Sequence, residues 1–156
     1  MKIKLVVVAR TDADYLKAGL DVYLSRLKHY VSFEYIELPG LRQAGKMTSS
    51  EMKIKEGEVL LKQVDSSGIL VLLDEQGKEY TSVGFSEFLQ QQMNSGAKTL
   101  VFVIGGAYGF SDEVYKRAKF KVALSRLTFS HQMVRLFFAE QLYRAFTILK
   151  GEGYHH

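Results

Sequence analysis

Two short runs constrain this chain more than any other feature. Ile69 to Leu73 is wholly apolar, and Thr99 to Ile104 is apolar after its first residue. Neither shows the in-out alternation of a strand with one wet face, so both read as strands covered on both sides, the habit of parallel sheets packed between helices. The stretches around them alternate in kind. Lys2 to Ala9 and Phe33 to Leu38 read as strands, and Phe120 to Leu124 as the last one. Thr11 and Asp14 form a T-x-x-D start for a helix to about Tyr30, and Thr48 with Glu51 forms a T-x-x-E capping box for a helix to about Val64. A helix is expected from about Val83 to Asn94, a short one capped by Ser111, and a final one capped by Ser130 with Phe129 and Val134 as its hydrophobic staple. Asp74-Glu75-Gln76-Gly77 is expected to end the third strand, and the Arg42–Thr48 loop is the best candidate for a mobile segment. Strand–helix alternation of this kind predicts one three-layer α/β domain over residues 1–156 with a mostly parallel sheet.

Composition removes several classes of function. The absence of cysteine excludes disulfides, thiol nucleophiles and thiolate metal sites. The four histidines show no metal-ligand spacing, so no metal is expected. No run of 18 apolar residues suggests a membrane span, and Leu5 to Ala9 is too short for a secretory core; the absence of cysteine fits a cytoplasmic protein, although it is compatible with any compartment. Charge is uneven. Residues 1–97 hold 12 Lys+Arg and 13 Asp+Glu, whereas residues 98–156 hold 9 and 4, a net of −1 against +5. A polyanion would be drawn to the C-terminal third, although an ordinary solvated basic surface has the same composition.

Three candidate loops lie at strand ends. Gly105-Gly106-Ala107-Tyr108-Gly109 follows a buried strand, where α/β proteins bind ligands, but it matches neither the dinucleotide fingerprint nor a phosphate loop. Leu72-Leu73-Asp74 and Leu124-Ser125-Arg126-Leu127-Thr128-Phe129 would line the same crevice. On the last helix His131 and Arg135 share a face, and Glu140 and Arg144 have the spacing of a helical ion pair. Apolar residues between Met133 and Leu149 cover more than one face, which suggests a helix buried in its own core on one side and against a dimer partner on another. The ending Gly151-Glu152-Gly153-Tyr154-His155-His156 also fits a tail with a truncated purification tag.

Taken together, these segments resemble the RlmH family, the ribosomal large-subunit pseudouridine methyltransferases of the SPOUT class. The resemblance spans the chain and is most specific in L-S-R-L-T-F-S-H-Q-M-V-R from Leu124, E-Q-L-Y-R-A from Glu140 and G-E-G-Y-H from Gly151. Ser130 stands where the family usually has proline. The resemblance implies a SPOUT-type fold with a C-terminal trefoil knot and S-adenosylmethionine held by Leu73, Gly105, Leu124, Ser125, Arg126, Leu127, Thr128 and Phe129. It implies a homodimer that methylates N3 of a pseudouridine in large-subunit ribosomal RNA within the ribosome. His155, Tyr154, His131 and Arg135 would be the catalytic candidates, and Arg135, Arg144, Tyr154 and His155 would hold the RNA. A related enzyme acting on transfer RNA, or a non-catalytic ribosome-binding module, are the competing readings, with a generic nucleotide-binding protein behind them.

Overall fold

The apolar runs become neighbouring inner strands. In the computed structural model, which describes residues 1–156, the order is β1 (Lys2–Val8), α1 (Asp14–Leu27), β2 (Ser32–Leu38), α2 (Ser49–Leu61), β3 (Ile69–Glu79), α3 (Ser82–Met93), β4 (Thr99–Ile104), α4 (Asp112–Arg117), β5 (Phe120–Ala123) and α5 (Met133–Leu149), with a 3-10 turn at Ala44–Lys46. The five strands form one sheet, β2-β1-β4-β3-β5, and every pairing is parallel. The three-layer arrangement expected from the sequence is present. Ile3, Leu5, Val7, Phe102 and Ile104 point into a core shared with α1, α3 and α5. Val6, Leu70, Leu72, Val101 and Val103 point to the other side, against Leu60 of α2 and Val114 of α4. Alternate residues of each strand feed opposite layers, so strands apolar at every position are the ones this architecture requires.

Two local readings are corrected, and one cap is added. Asp74–Gly77 does not end β3. The strand bulges there and resumes, so that Val122 pairs with Leu73 before the bulge and with Lys78 after it. Gly77 makes this possible, because a Cβ at that position would lie 2.6 Å from the Lys121 carbonyl carbon. Thr11 does not cap α1, whose N-cap is Ala13 without a side-chain bond. Instead Thr11 is buried, with its backbone N–H donating to Glu37 at 2.5 Å and its hydroxyl 3.1 Å from that of Tyr35. Distant partners outcompete the local cap. The α3 helix has a cap that the sequence reading passed over, Thr81, which accepts from Gly84 N–H at 3.0 Å. Thr48 and Ser111 cap α2 and α4 as expected, accepting from Glu51 and Val114 N–H, although no return bond from the Glu51 side chain completes the box at Thr48.

The final helix also needs a revised account. It lies on the sheet between α1 and α3, and those two neighbours with the sheet bury Phe138, Ala139, Leu142, Ala145 and Phe146 within one chain. Most of its surplus apolar surface is therefore covered without a second subunit. What remains exposed is smaller: Phe137 on α5, Leu127 and Phe129 just ahead of it, and Tyr15 and Val22 on α1.

Candidate active site

Glycine governs the mouth of the sheet. At the carboxyl end of β4, a Cβ on Gly105 would sit 3.0 Å from the Phe110 ring, and Gly109 adopts a positive φ of 84°. Both positions favour glycine for steric reasons. The backbone thus folds back tightly, with Gly106 and Gly109 bridged, and leaves a cavity of about 540 Å³ beside it. Leu73 from β3, Ile104 and Gly105 from β4, Val122 from β5 and Leu124 just beyond it supply the wall. The chain from Ser125 to Val134 closes the remaining side. This is the crevice outside the strand ends at which open parallel sheets bind ligands.

Of the residues expected to hold a cofactor, Leu73, Gly105, Leu124, Ser125, Leu127, Thr128 and Phe129 all line this cavity, and Arg126 does not. The Arg126 guanidinium turns away, donating to the Glu75 carbonyl at 3.0 Å and pairing with Glu79. Its backbone brings the loop past the cavity while its charge pins the β3 bulge. The structure adds Glu75 and Tyr115, which carried no such expectation, to Asp74, already expected along the crevice. Asp74, Glu75 and Tyr115 face the cavity, where the Tyr115 hydroxyl donates to Asp74 at 2.6 Å and Thr128 donates to Glu75 at 2.5 Å. Burial and the Asp74 bond push the Tyr115 phenol up to about 12. Asp74 was visible in the sequence as the acidic end of a buried strand, but Tyr115 had no signal beyond its place on a short helix.

The four catalytic candidates do not form one cluster within the chain. His131 lines the cavity. Arg135 is fully buried, so the direct contact with RNA expected of it is corrected. Its Nε donates to the His131 carbonyl at 3.0 Å, Nη1 to the Ala9 carbonyl at 2.9 Å and the Thr11 hydroxyl at 3.1 Å, and Nη2 to the Val8 carbonyl at 2.6 Å. The guanidinium is occupied in joining β1 to the start of α5. Tyr154, His155 and Arg144 gather elsewhere, around Glu140. Arg144 donates to Glu140 at 2.6 Å, Tyr154 donates to the same carboxylate oxygen at 2.9 Å, and Arg144 Nη1 lies 3.2 Å from His155 Nδ1. The Arg144 guanidinium also stacks 4.7 Å from the Tyr154 ring. The tail is tied down a second time where Tyr30 donates to Glu152 at 2.5 Å. Burial, with the Glu140 bond adding to it, raises the Tyr154 phenol well above its ordinary range, so it remains a donor. From His131 to Arg144 the chain advances 13 residues, roughly 20 Å at the helical rise, so within one chain the cavity and this cluster are separate places.

Two arrangements thus stand on one scaffold, a glycine-lined cavity at the strand ends and an aromatic cluster built on the Arg144–Glu140 ion pair further along the last helix. The model of the family described as "Predicted SPOUT methyltransferase" matches residues 1–155. The chain belongs to that family. Its similarity to named relatives is also full-length. It is 56% identical over 156 residues to the ribosomal RNA large subunit methyltransferase H of Christiangramia forsetii, covering 100% of this chain and 99% of that one. It is 54% identical to the protein of the same name from Flavobacterium johnsoniae, again over 100% and 99% of the two chains. The corresponding protein of Cytophaga hutchinsonii is 52% identical over the whole of both chains.

Proposed function

We propose that this chain transfers the methyl group of S-adenosylmethionine to N3 of a pseudouridine in large-subunit ribosomal RNA, working in the cytoplasm as a homodimer on the assembled ribosome. The observation that carries the reading is the glycine-lined cavity at the strand ends, in a chain whose full-length relatives are named as methyltransferases of large-subunit ribosomal RNA. The cavity suits the cofactor in kind. It has room for a nucleoside, apolar walls in Leu73, Ile104 and Val134, and a loop kept open by Gly105, where a Cβ would press on Phe110. When bound, S-adenosylmethionine supplies a methyl group already activated on sulfur, so the chain's task is alignment and management of the N3 proton.

The distance between the cavity and the Tyr154–His155 cluster favours a site shared by two subunits. The exposed apolar residues that a partner would cover lie beside the cavity. The Phe129 and Phe137 rings are 5.1 Å apart, and Tyr15, 68% exposed, reaches the Met133 sulfur at 3.8 Å. In this arrangement the tail of one subunit meets the cavity of the other. Arg144 and the flanking basic residues would grip RNA phosphate, and Tyr154 would stack on or bond to the base.

The role of His155 follows from its neighbour. A guanidinium has no acceptor, so its contact with Nδ1 is a hydrogen bond only if Nδ1 carries the lone pair. The neutral ring then bears its proton on Nε2 and presents a donor. In that form His155 stabilises charge developing on a pyrimidine carbonyl as N3 loses its proton, and does not take the proton itself. His131, on the cavity wall, is the remaining histidine placed for proton transfer. The trefoil knot of the SPOUT fold belongs to the same proposal, in the segment that follows β5.

The test is direct. Purified protein with labelled cofactor is offered ribosomes, free ribosomal RNA and transfer RNA, and the product is located by mass spectrometry. Label on one pseudouridine of ribosome-borne large-subunit RNA is the expected result, and label on transfer RNA alone would overturn it.

A further inference from the structure

The cavity is charged against the grain of the chain. The protein carries 21 Lys+Arg and 17 Asp+Glu, yet no lysine or arginine lines the cavity. Its lining carboxylates are Asp74 and Glu75, with His131 the one other titrating side chain apart from two tyrosines. Neither carboxylate is spent in an ion pair: Arg126 pairs with Glu79 and reaches only the backbone of Glu75, and Lys121 stands over the Tyr115 ring, 5.6 Å from its centroid. Both are held in place. Asp74 accepts from the Tyr115 hydroxyl at 2.6 Å on one oxygen and from Gln76 N–H at 2.8 Å on the other, while Glu75 accepts from Thr128 at 2.5 Å. Neutral donors fix the direction of these carboxylates without cancelling their charge.

Methyl transfer changes the charge of the molecule beside them. The carbon–sulfur bond breaks with its electron pair left on sulfur, a carbon–nitrogen bond forms at N3, and the N3 proton departs. A sulfonium cation thereby becomes a neutral thioether, while the rest of the cofactor is unaltered. We propose that Asp74, oriented by Tyr115 and assisted by Glu75, is a specificity determinant that reads this charge. The cavity holds the methyl donor more tightly than the spent cofactor, and the attraction lapses at the moment of transfer, which speeds release. The proposal rests on the cavity being the cofactor site. The scale follows from Coulomb attraction in a partly wet site, roughly tenfold in affinity for each carboxylate several ångströms from the sulfur.

The experiment is calorimetric titration of the whole protein with S-adenosylmethionine, S-adenosylhomocysteine and sinefungin, which carries an ammonium group where the donor carries its sulfonium. Wild type should prefer both cations over the neutral product, and added salt should weaken the cations alone. Asp74→Asn should weaken the cations by about tenfold and leave S-adenosylhomocysteine within about twofold. Tyr115→Phe should shift the ratio the same way by less, and Glu75→Gln offers an exposed position where folding is not at stake. Equal effects on charged and neutral ligands, or no effect of Asp74→Asn and Glu75→Gln on either, would overturn the inference. Gly105→Val separates this outcome from failure of the site itself. Loss of all three ligands in that variant keeps the cavity as the cofactor site, whereas undiminished binding removes the site and the inference together.

Discussion

The Nη2 of Arg135 donates to the carbonyl of Val8 at 2.6 Å, tying the start of the last helix to the end of the first strand across 127 residues of chain. Ala9, the next residue, has a positive φ of 65°, and its carbonyl accepts from the same guanidinium at 2.9 Å. An unusual backbone and a buried charge thus hold one another in place, close to the cavity wall that includes His131.

Removing that guanidinium should be costly. Arg135→Met leaves the Val8 and Ala9 carbonyls with no side-chain partner in a dry site, at roughly 1–3 kcal/mol each, so a loss of several kcal/mol in urea unfolding is expected. Arg135→Lys keeps the charge but cannot reach four acceptors at once, and should recover only part of the loss. An unchanged unfolding midpoint in Arg135→Met would show that the network contributes nothing to stability.

Gly77 should not tolerate a side chain. A Cβ would meet the backbone of edge strand β5, the Lys121 carbonyl carbon at 2.6 Å and the Val122 nitrogen at 2.7 Å, and that strand can step aside only by giving up its pairing with β3 on either side of the bulge. Gly77→Ala should cost about 1–3 kcal/mol and, by shifting the bulge that carries Asp74 and Glu75, should also weaken cofactor binding. Calorimetry beside a denaturation curve would check both effects.

Glu56 on α2 supplies a prediction in pH. It lies half-buried against the glycine loop, with its Oε2 2.7 Å from where a Cβ on Gly106 would stand, and burial raises its carboxyl above the ordinary range. A carboxyl raised in the folded state retains its proton to higher pH than it does unfolded, so stability falls as pH rises through the folded value. Glu56→Gln should therefore melt higher than wild type at neutral pH, with the gain vanishing below about pH 4, where both states are protonated. Equal melting temperatures at pH 7 would contradict this account.

The shared site is tested by mixing. His155→Ala lacks the tail function and Gly105→Val the cavity, and each alone should be nearly inactive. Co-expressed, they form heterodimers in which one cavity and one tail are intact, and roughly a quarter of wild-type activity should return if these belong to opposite subunits. No recovery would mean that tail and cavity of the same chain work together, whereas full activity in His155→Ala alone would mean that His155 has no part in the reaction.

Much of this protein was legible in the order of its residues. Doubly apolar strands between amphipathic helices determined a parallel three-layer sheet, because a strand with no wet face has to be covered twice. The glycine loop and the Leu124–Phe129 segment pointed to the crevice, since strand ends in such a sheet converge by topology. Only the tertiary structure decided which polar groups reach it. Thr11 and Arg135 have the local marks of a cap and a surface cation, yet each is claimed by partners more than 20 residues away, and no local pattern records a contact at that range. Arg126 and Asp74 exchanged their expected standing for the same reason. One lies in the most specific motif and turns its charge outward, while the other closes a strand and is turned inward by a tyrosine 41 residues further along. The separation of the Tyr154–His155 cluster from the cavity also belongs to the fold, since it is set by the length of a helix packed between α1 and α3.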